Sequence, residues 1–204
     1  MNKVELIGTY GSDLSHSLSA WTSTSRDLDD AKRARVPALL KRLAEEGHHT
    51  PFEKSALQFL IDVDTATHIQ QLKHRIGVSI NGESARYKKI TTIRHHIPPD
   101  WPEEWKNKLI GHTLAGQALY EEALVELTPL LGKKRSKESS RYFLGYNNVL
   151  TLDVMFNFRS FMHFQGLRGK DDAQDEIHWI SDEMLRLVRE QGDFKHSLEA
   201  FGYK

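Results

Sequence analysis

Cysteine is absent from the 204 residues. That excludes disulfides, thiolate metal ligands and a cysteine nucleophile. Neither sign of charge is in excess, since 28 Lys and Arg face 28 Asp and Glu. The basic surplus of a general nucleic-acid binder is therefore missing. No apolar run reaches the roughly 18 residues that a transmembrane helix needs. The opening MNKVELIGTY lacks the long apolar stretch of a signal peptide. The expectation is a cytoplasmic protein with neither nucleic-acid nor membrane partners. Linkers, repeats and low-complexity tracts are lacking too, so a single domain over residues 1–204 is expected, long enough for a real core. Histidine is plentiful, with 11 residues. Surface polarity, metal ligation and ligand contact compete to explain it.

Periodicity gives a helix-rich α+β domain with three or four strands, a small, mostly antiparallel sheet flanked by helices. Residues 3–9 read as a strand. Asp29 or Asp30 caps a helix to about Glu46, with Val36, Leu39, Leu40 and Leu43 inward and Gly47 as its stop. Leu57, Phe59, Ile61 and Val63 alternate, which predicts a strand over 55–63. Thr65 caps a short helix with Ile69 and Leu72 on its face, and residues 88–94 suit another strand. Asp100 with Glu103 has the capping-box spacing for a long helix whose buried stripe runs from Leu109 through Leu114 and Leu119 to Leu127. Gly132 begins a solvated turn. A strand over 149–155, a helix over 157–167 and a last helix started by Asp171 and Gln174 complete the reading.

Three segments carry candidate chemistry. The first runs KHRIGVSINGESARY, from Lys73-His74-Arg75 across eight residues to Ser84, then Arg86 and Tyr87. Arg forks grip phosphate bidentately, and Gly and Ser let a backbone approach a ligand. By composition alone the same segment reads equally well as a solvated turn. The second is His48-His49-Thr50-Pro51-Phe52-Glu53, where Pro fixes a bend between helix and strand. A zinc site there would need a third ligand or an HExxH helix, and neither is present, so no metal is expected. In the third, Arg159 and His163 are i, i+4 neighbours with Arg168 beyond, beside a core stripe of Phe158, Phe161 and Met162. A charged stripe beside a core stripe is ordinarily a solvated face.

Together these segments resemble the flavin-dependent thymidylate synthases. The family signature, Arg-His-Arg, seven or eight residues, Ser, then Arg-Tyr one residue on, is matched by Lys73, His74, Arg75, Ser84, Arg86 and Tyr87 except at its first position. An upstream His-x-x-Pro-Phe-Glu is matched by His48, Pro51, Phe52 and Glu53. A downstream Asn-x-Arg-Ser-x-x-x-Phe-x-x-Leu-Arg is matched by Asn157, Arg159, Ser160, Phe164, Leu167 and Arg168, and a trailing Ala173-Gln174-Asp175-Glu176-Ile177 also fits.

The resemblance implies methylation of deoxyuridine monophosphate (dUMP) to deoxythymidine monophosphate (dTMP). Methylenetetrahydrofolate would give the carbon and FAD reduced by NADPH the electrons, in a homotetramer with intersubunit active sites. The missing cysteine agrees, since a chain without a thiol must activate the pyrimidine by field rather than by covalent attack. Carried over by position, Arg168 is the activating residue and also contacts dUMP. Gln70, Lys73, Glu83, Ser84, Ala85, Arg86 and Arg141 join it at the nucleotide, with Arg141 a candidate for the phosphate. Thr50, Glu53, Lys73, His74, Arg75, Glu83, Asn157, Arg159 and His163 would surround FAD, with His48 as a buttress. Ser84 has no orienting His and acid beside it and is not expected to be a nucleophile.

The chain departs from the pattern at three places. Lys73 keeps the charge of the first Arg but loses its planar fork. His163 stands where the family often has Asn. Glu83 rather than Gly82 is taken as the family's acidic position. Two other functions remain in view: a nucleotide- or flavin-binding relative without catalysis, and a metal-dependent hydrolase using His48, His49, His95 and His96.

Overall fold

The computed structural model of the chain describes residues 3–25, 27–84 and 94–203. The expected α+β architecture is present: a small antiparallel sheet flanked by helices. Among the described residues five strands form it, β1 (Lys3–Tyr10), β2 (Ala56–Asp64), β3 (Val78–Gly82), β4 (Arg94–His95) and β5 (Asn148–Phe156). The sheet order is β1-β2-β5-β3, and β4 pairs antiparallel with β5, Arg94 opposite Val149 and His95 opposite Asn148. Of the strand expected over 88–94, only Arg94 lies within the described residues. The period of two in β2 is realised: Leu57, Phe59, Ile61 and Val63 are all fully buried. No helix among the described residues is long and apolar enough to cross a membrane.

Contacts group the chain into two compact units. The larger comprises residues 4–61, 72–81 and 153–204. It holds α1 (Asp13–Trp21), α2 (Asp30–Ala34), α3 (Val36–Glu45), a 3₁₀ turn (Thr50–Glu53), α6 (Phe158–Arg168), α7 (Asp175–Gln191) and α8 (Lys195–Ala200). Its core is aromatic: Phe52, Phe59, Phe158, Phe161, Phe164 and Phe194 are fully buried. Each is worth roughly 1.5–3 kcal/mol of burial. Phe158 stacks on Phe194 with centroids 5.4 Å apart, and Phe52 meets Phe201 edge-on at 4.9 Å.

The single helix expected from Asp29 to Glu46 is two. Asp29 does cap, its carboxylate accepting from Lys32 N at 2.7 Å. Pro37, which has no N–H to continue the first ladder, falls in the opening turn of α3, where a proline is tolerated. The last long helix, α7, starts later than Asp171, at Asp175, with no side-chain cap, and ends on Gly192 in the left-handed region. Helix α8 has no counterpart in the sequence reading, being too short to show a period.

The smaller unit comprises residues 62–71 and 82–152 with the first three residues. It holds α4 (Thr65–Gln71), α5 (Glu103–Ser140) and a 3₁₀ turn (Arg141–Phe143). Helix α5 starts after Pro102 with no side-chain cap, so the Asp100–Glu103 box is not made. Its turn at Gly132 is real, at φ 80° and ψ 155° inside the helical run. Of its expected stripe, Leu114 and Leu119 are exposed and no member is fully buried, while Tyr120, outside that stripe, is. Helix α4 corrects the expectation twice. Its cap is Asp64, whose Oδ1 accepts from Thr67 N at 2.9 Å. The apolar residues expected on its face are exposed, Ile69 on the helix at 41% and Leu72, just past its end, at 45%, while Thr67 and Gln71 are buried.

Candidate active site

In the larger unit, the Lys73-His74-Arg75 stretch is the turn between α4 and β3, and it is stapled to the start of α6. Asn157 N donates to Gly77 O at 2.9 Å, and Ser160 Oγ donates to Ile76 O at 2.6 Å. Asn157 also caps α6, its Oδ1 accepting from Ser160 N at 2.8 Å. Gly77 is required on two counts. Its φ is +66°, and a Cβ there would lie 2.3 Å from Asn157 Nδ2 and 2.4 Å from Ser160 Oγ. Asn157, read from the resemblance as a flavin contact, thus also has this structural task.

His74 and Arg168, 94 positions apart, meet in this unit: Arg168 Nε donates to His74 Nε2 at 3.0 Å. His74 is buried, and its ring packs edge-on against Phe164 at 4.9 Å and lies 6.1 Å from that of His163. Burial, then the Arg168 charge and His163, lower its pKa to about 4. It is therefore neutral at neutral pH. Since Nε2 accepts, the remaining proton sits on Nδ1. A neutral imidazole thereby fixes the long axis of the guanidinium. The sequence placed both residues in the site but not against each other.

At the start of α6, Arg159 Nη1 donates to Glu53 Oε1 at 2.5 Å, with both side chains partly exposed. Thr50 begins the 3₁₀ turn that carries Glu53 and is exposed. Arg159 and Arg168 take separate partners, Glu53 and His74. Lys73 and Arg75 are exposed, and neither has an ion-pair partner among the described residues. Lys73 and Arg75, uncompensated cations flanking the buried neutral His74 in sequence, with Arg159 on α6 and Thr50 on the 3₁₀ turn bound to it through Glu53, are donors that fit the pyrophosphate of a dinucleotide such as FAD. His48 is peripheral: it is exposed, with Glu46 at 3.6 Å.

The smaller unit holds Gln70 on α4, Glu83 and Ser84 just past β3, and Arg141 in the exposed 3₁₀ turn after α5. Ala85 and Arg86, with Tyr87, lie outside the described residues. Glu83 is tied to β5: its N donates to Thr151 O at 2.9 Å, and its Oε2 accepts from Thr151 N at 3.4 Å. Arg94 Nη2 lies 3.6 Å from the same carboxylate oxygen. Arg94 also donates to Asp62 Oδ2 and, at 2.9 Å, to Thr151 Oγ1, which donates on to Asp62 Oδ1 at 2.6 Å. Sequence reasoning missed this Asp62–Arg94–Thr151 brace. Its only trace was polar residues at alternating positions of strands, a pattern shared with any solvated sheet face. Gly82 has no side chain to hold there, which favours Glu83 as the acidic position. Among the described residues no group of three or more His, Asp or Glu could hold a metal ion. His48 and His49 belong to the larger unit, and His95 and His96 to the smaller.

A family model described as thymidylate synthase complementing protein matches residues 5–191. A flavin-dependent thymidylate synthase of Streptomyces coelicolor is 26% identical over 186 residues, covering 83% of this chain and 76% of that protein. One of Streptomyces avermitilis is 25% identical over 211 residues, covering 89% and 83%. Among solved structures, a UMP/dUMP methylase of Streptomyces cacaoi bound with 5-Br UMP superposes with a TM-score of 0.76 at 21% identity, covering 99% of this chain and 94% of that one. At that identity the likeness speaks for the fold.

Proposed function

The chain belongs to the thymidylate synthase complementing protein family, and we propose on that footing that it is a flavin-dependent thymidylate synthase, a methyltransferase converting dUMP to dTMP. Methylenetetrahydrofolate is the carbon donor and NADPH the source of electrons. When bound, reduced FAD supplies the reducing equivalent that turns the transferred carbon into a methyl group. Everything else falls to the chain's own groups.

With no cysteine to attack the ring, carbon 5 of uracil becomes nucleophilic only if charge building on the ring nitrogen and oxygen is stabilised. Arg168 has that role. Its Nε is engaged by the neutral His74, so the guanidinium cannot swivel and its terminal fork is presented in one orientation. This His74–Arg168 bond is the observation that carries the assignment. A protonated His74 could not accept from Arg168, so the low imidazole pKa, about 4, keeps the bond at neutral pH.

Arg141, Arg86 and Gln70 hold the nucleotide, Arg141 at its phosphate, with Ser84, Ala85 and Glu83 lining the pocket. Arg94 and Thr151 steady the Glu83 carboxylate. Lys73, Arg75 and Arg159 neutralise the flavin pyrophosphate, and Thr50, Glu53, His74, Asn157 and His163 complete its surround. Lys73 suits a phosphate contact, for which a point charge suffices. The active protein is a cytoplasmic homotetramer with sites shared between subunits. The open apolar face of α5 supports assembly.

The test is direct. Purified protein should be yellow with a flavin absorbance band. It should form dTMP from dUMP only when methylenetetrahydrofolate and NADPH are both supplied, and rescue a thymidine-requiring cell. A colourless protein that makes no dTMP with added FAD and is inactivated by a chelator would replace this reading with the hydrolase one.

A further inference from the structure

Seven buried side-chain polar atoms lack a hydrogen-bond partner among the described residues, and all belong to the smaller unit: Asp64 Oδ2, Thr67 Oγ1, His68 Nδ1, Gln71 Nε2 and Oε1, His95 Nδ1 and Asn148 Oδ1. Native proteins rarely leave such groups unmade, and each one costs roughly 1–3 kcal/mol. Their spacing is informative. Asp64, Thr67, His68 and Gln71 follow i, i+3, i+4, i+7, so they share one face of α4. That face is turned inward, with Asp64 and Gln71 3% and Thr67 0% exposed. Asn148 belongs to the same neighbourhood, since Thr65 Oγ1 donates to Asn148 O at 3.0 Å. His95 is its register partner across β4 and β5.

The inverted orientation of α4 sharpens the point. Ordinary packing would bury Ile69 and Leu72 and hydrate the polar stripe. The fold does the opposite, so something in the interior must repay the desolvation. The most demanding member is Asp64. One of its oxygens caps α4 through Thr67 N, and the other has no partner. Among the described residues no ion pair reaches this buried carboxylate. A buried anion without counter-charge is far costlier than a neutral orphan.

We infer that the inner face of α4 is a binding site for one hard monovalent cation, potassium or sodium, coordinated by Asp64 Oδ2, Thr67 Oγ1, Gln71 Oε1 and Asn148 Oδ1. The donor chemistry is all oxygen, which hard cations prefer and soft transition metals do not. A single carboxylate balances a single positive charge, which selects a monovalent ion over magnesium or calcium. The site would act by anchoring α4, the helix that also carries Gln70.

The test is thermal unfolding of the full chain at constant ionic strength, with choline chloride replaced stepwise by potassium or sodium chloride. A saturable rise in Tm of about 3 °C is expected at cation concentrations well above Kd. Asp64→Asn should remove this rise, because Asn keeps the capping bond to Thr67 N while losing the charge. Gln71→Leu should weaken it, and it carries the test if Asp64→Asn does not fold. Crystals grown with thallium should show an anomalous peak against Asp64. Equal Tm in all three salts, a rise with magnesium alone, or a full cation-dependent rise in the variants would overturn the assignment. So would ordered water alone beside Asp64 in potassium-grown crystals.

Discussion

Acidification should destabilise this protein through His16, whose burial leaves the folded chain unwilling to bind the proton that the unfolded chain takes up. His16 is fully buried on α1, wedged between Phe52, Phe158 and Phe194 at centroid distances of 5.3, 5.2 and 5.7 Å. Its Nδ1 is 2.9 Å from Ser197 Oγ and its Nε2 2.8 Å from Ser55 Oγ. Ser197 Oγ in turn donates to Asp13 Oδ1 at 2.6 Å, tying α1 to α8. Burial lowers the imidazole pKa from 6.5 to about 4.

The sign follows from linkage. Between those two values the unfolded chain binds a proton that the folded chain refuses, so stability falls as pH falls. It is whole above about pH 7 and declines through the window down to about 4. At pH 5 the unfolded imidazole is almost fully charged and the folded one about one-tenth charged. The loss relative to pH 8 is about 2 kcal/mol, approaching ~3 kcal/mol below pH 4. Against a typical total of ~5–15 kcal/mol this is large. Urea unfolding at pH 8 and pH 5, on the wild type and on His16→Gln, measures it. The variant starts less stable, but its loss between the two pH values should be smaller by about 2 kcal/mol. His74, also near 4, titrates in both proteins and cancels in the difference. Equal pH losses in the two proteins would refute the reasoning.

Three further outcomes are expected. Arg168→Ala should lower turnover more than tenfold, at least ~1.4 kcal/mol of barrier, while the flavin absorbance is partly retained; dTMP formation and the visible spectrum check both. His74→Leu removes the acceptor for Arg168 Nε, a bond to a charged group worth about 1.5–3 kcal/mol. Its kcat should therefore fall at least tenfold below that of His74→Gln, which keeps an acceptor, with the dUMP KM changing less than kcat. Gly77→Ala forces a side chain onto a φ of +66° and into Asn157 and Ser160; a cost of about 2 kcal/mol or more should appear as a Tm lower by at least ~4 °C.

The motifs were legible because their spacing is local. Lys73-His74-Arg75 through Ser84, and Asn157 through Arg168, could be aligned without any fold. The absence of cysteine alone removed one whole chemistry. Strand β2 was readable because alternation of Leu57, Phe59, Ile61 and Val63 is a property of nine consecutive residues. The break at Pro37 was readable in principle and was overlooked, since the flanking apolar positions keep helical spacing across it.

What local patterns could not carry was the partner of each polar group. Whether Arg168 faces water or His74 depends on how α6 docks against a turn 94 positions earlier. Whether α4 buries Ile69 or Gln71 depends on what the sheet and β5 offer it, and a helix of seven residues is too short for its own amphipathicity to decide. The sequence by itself determined the chemical inventory and the regular elements, because those follow from covalent identity and short-range period. Only the tertiary structure decided which imidazole meets which guanidinium and which face of α4 turns inward. Those are choices made by packing across the whole chain, where burial energies outweigh the preference of any one segment.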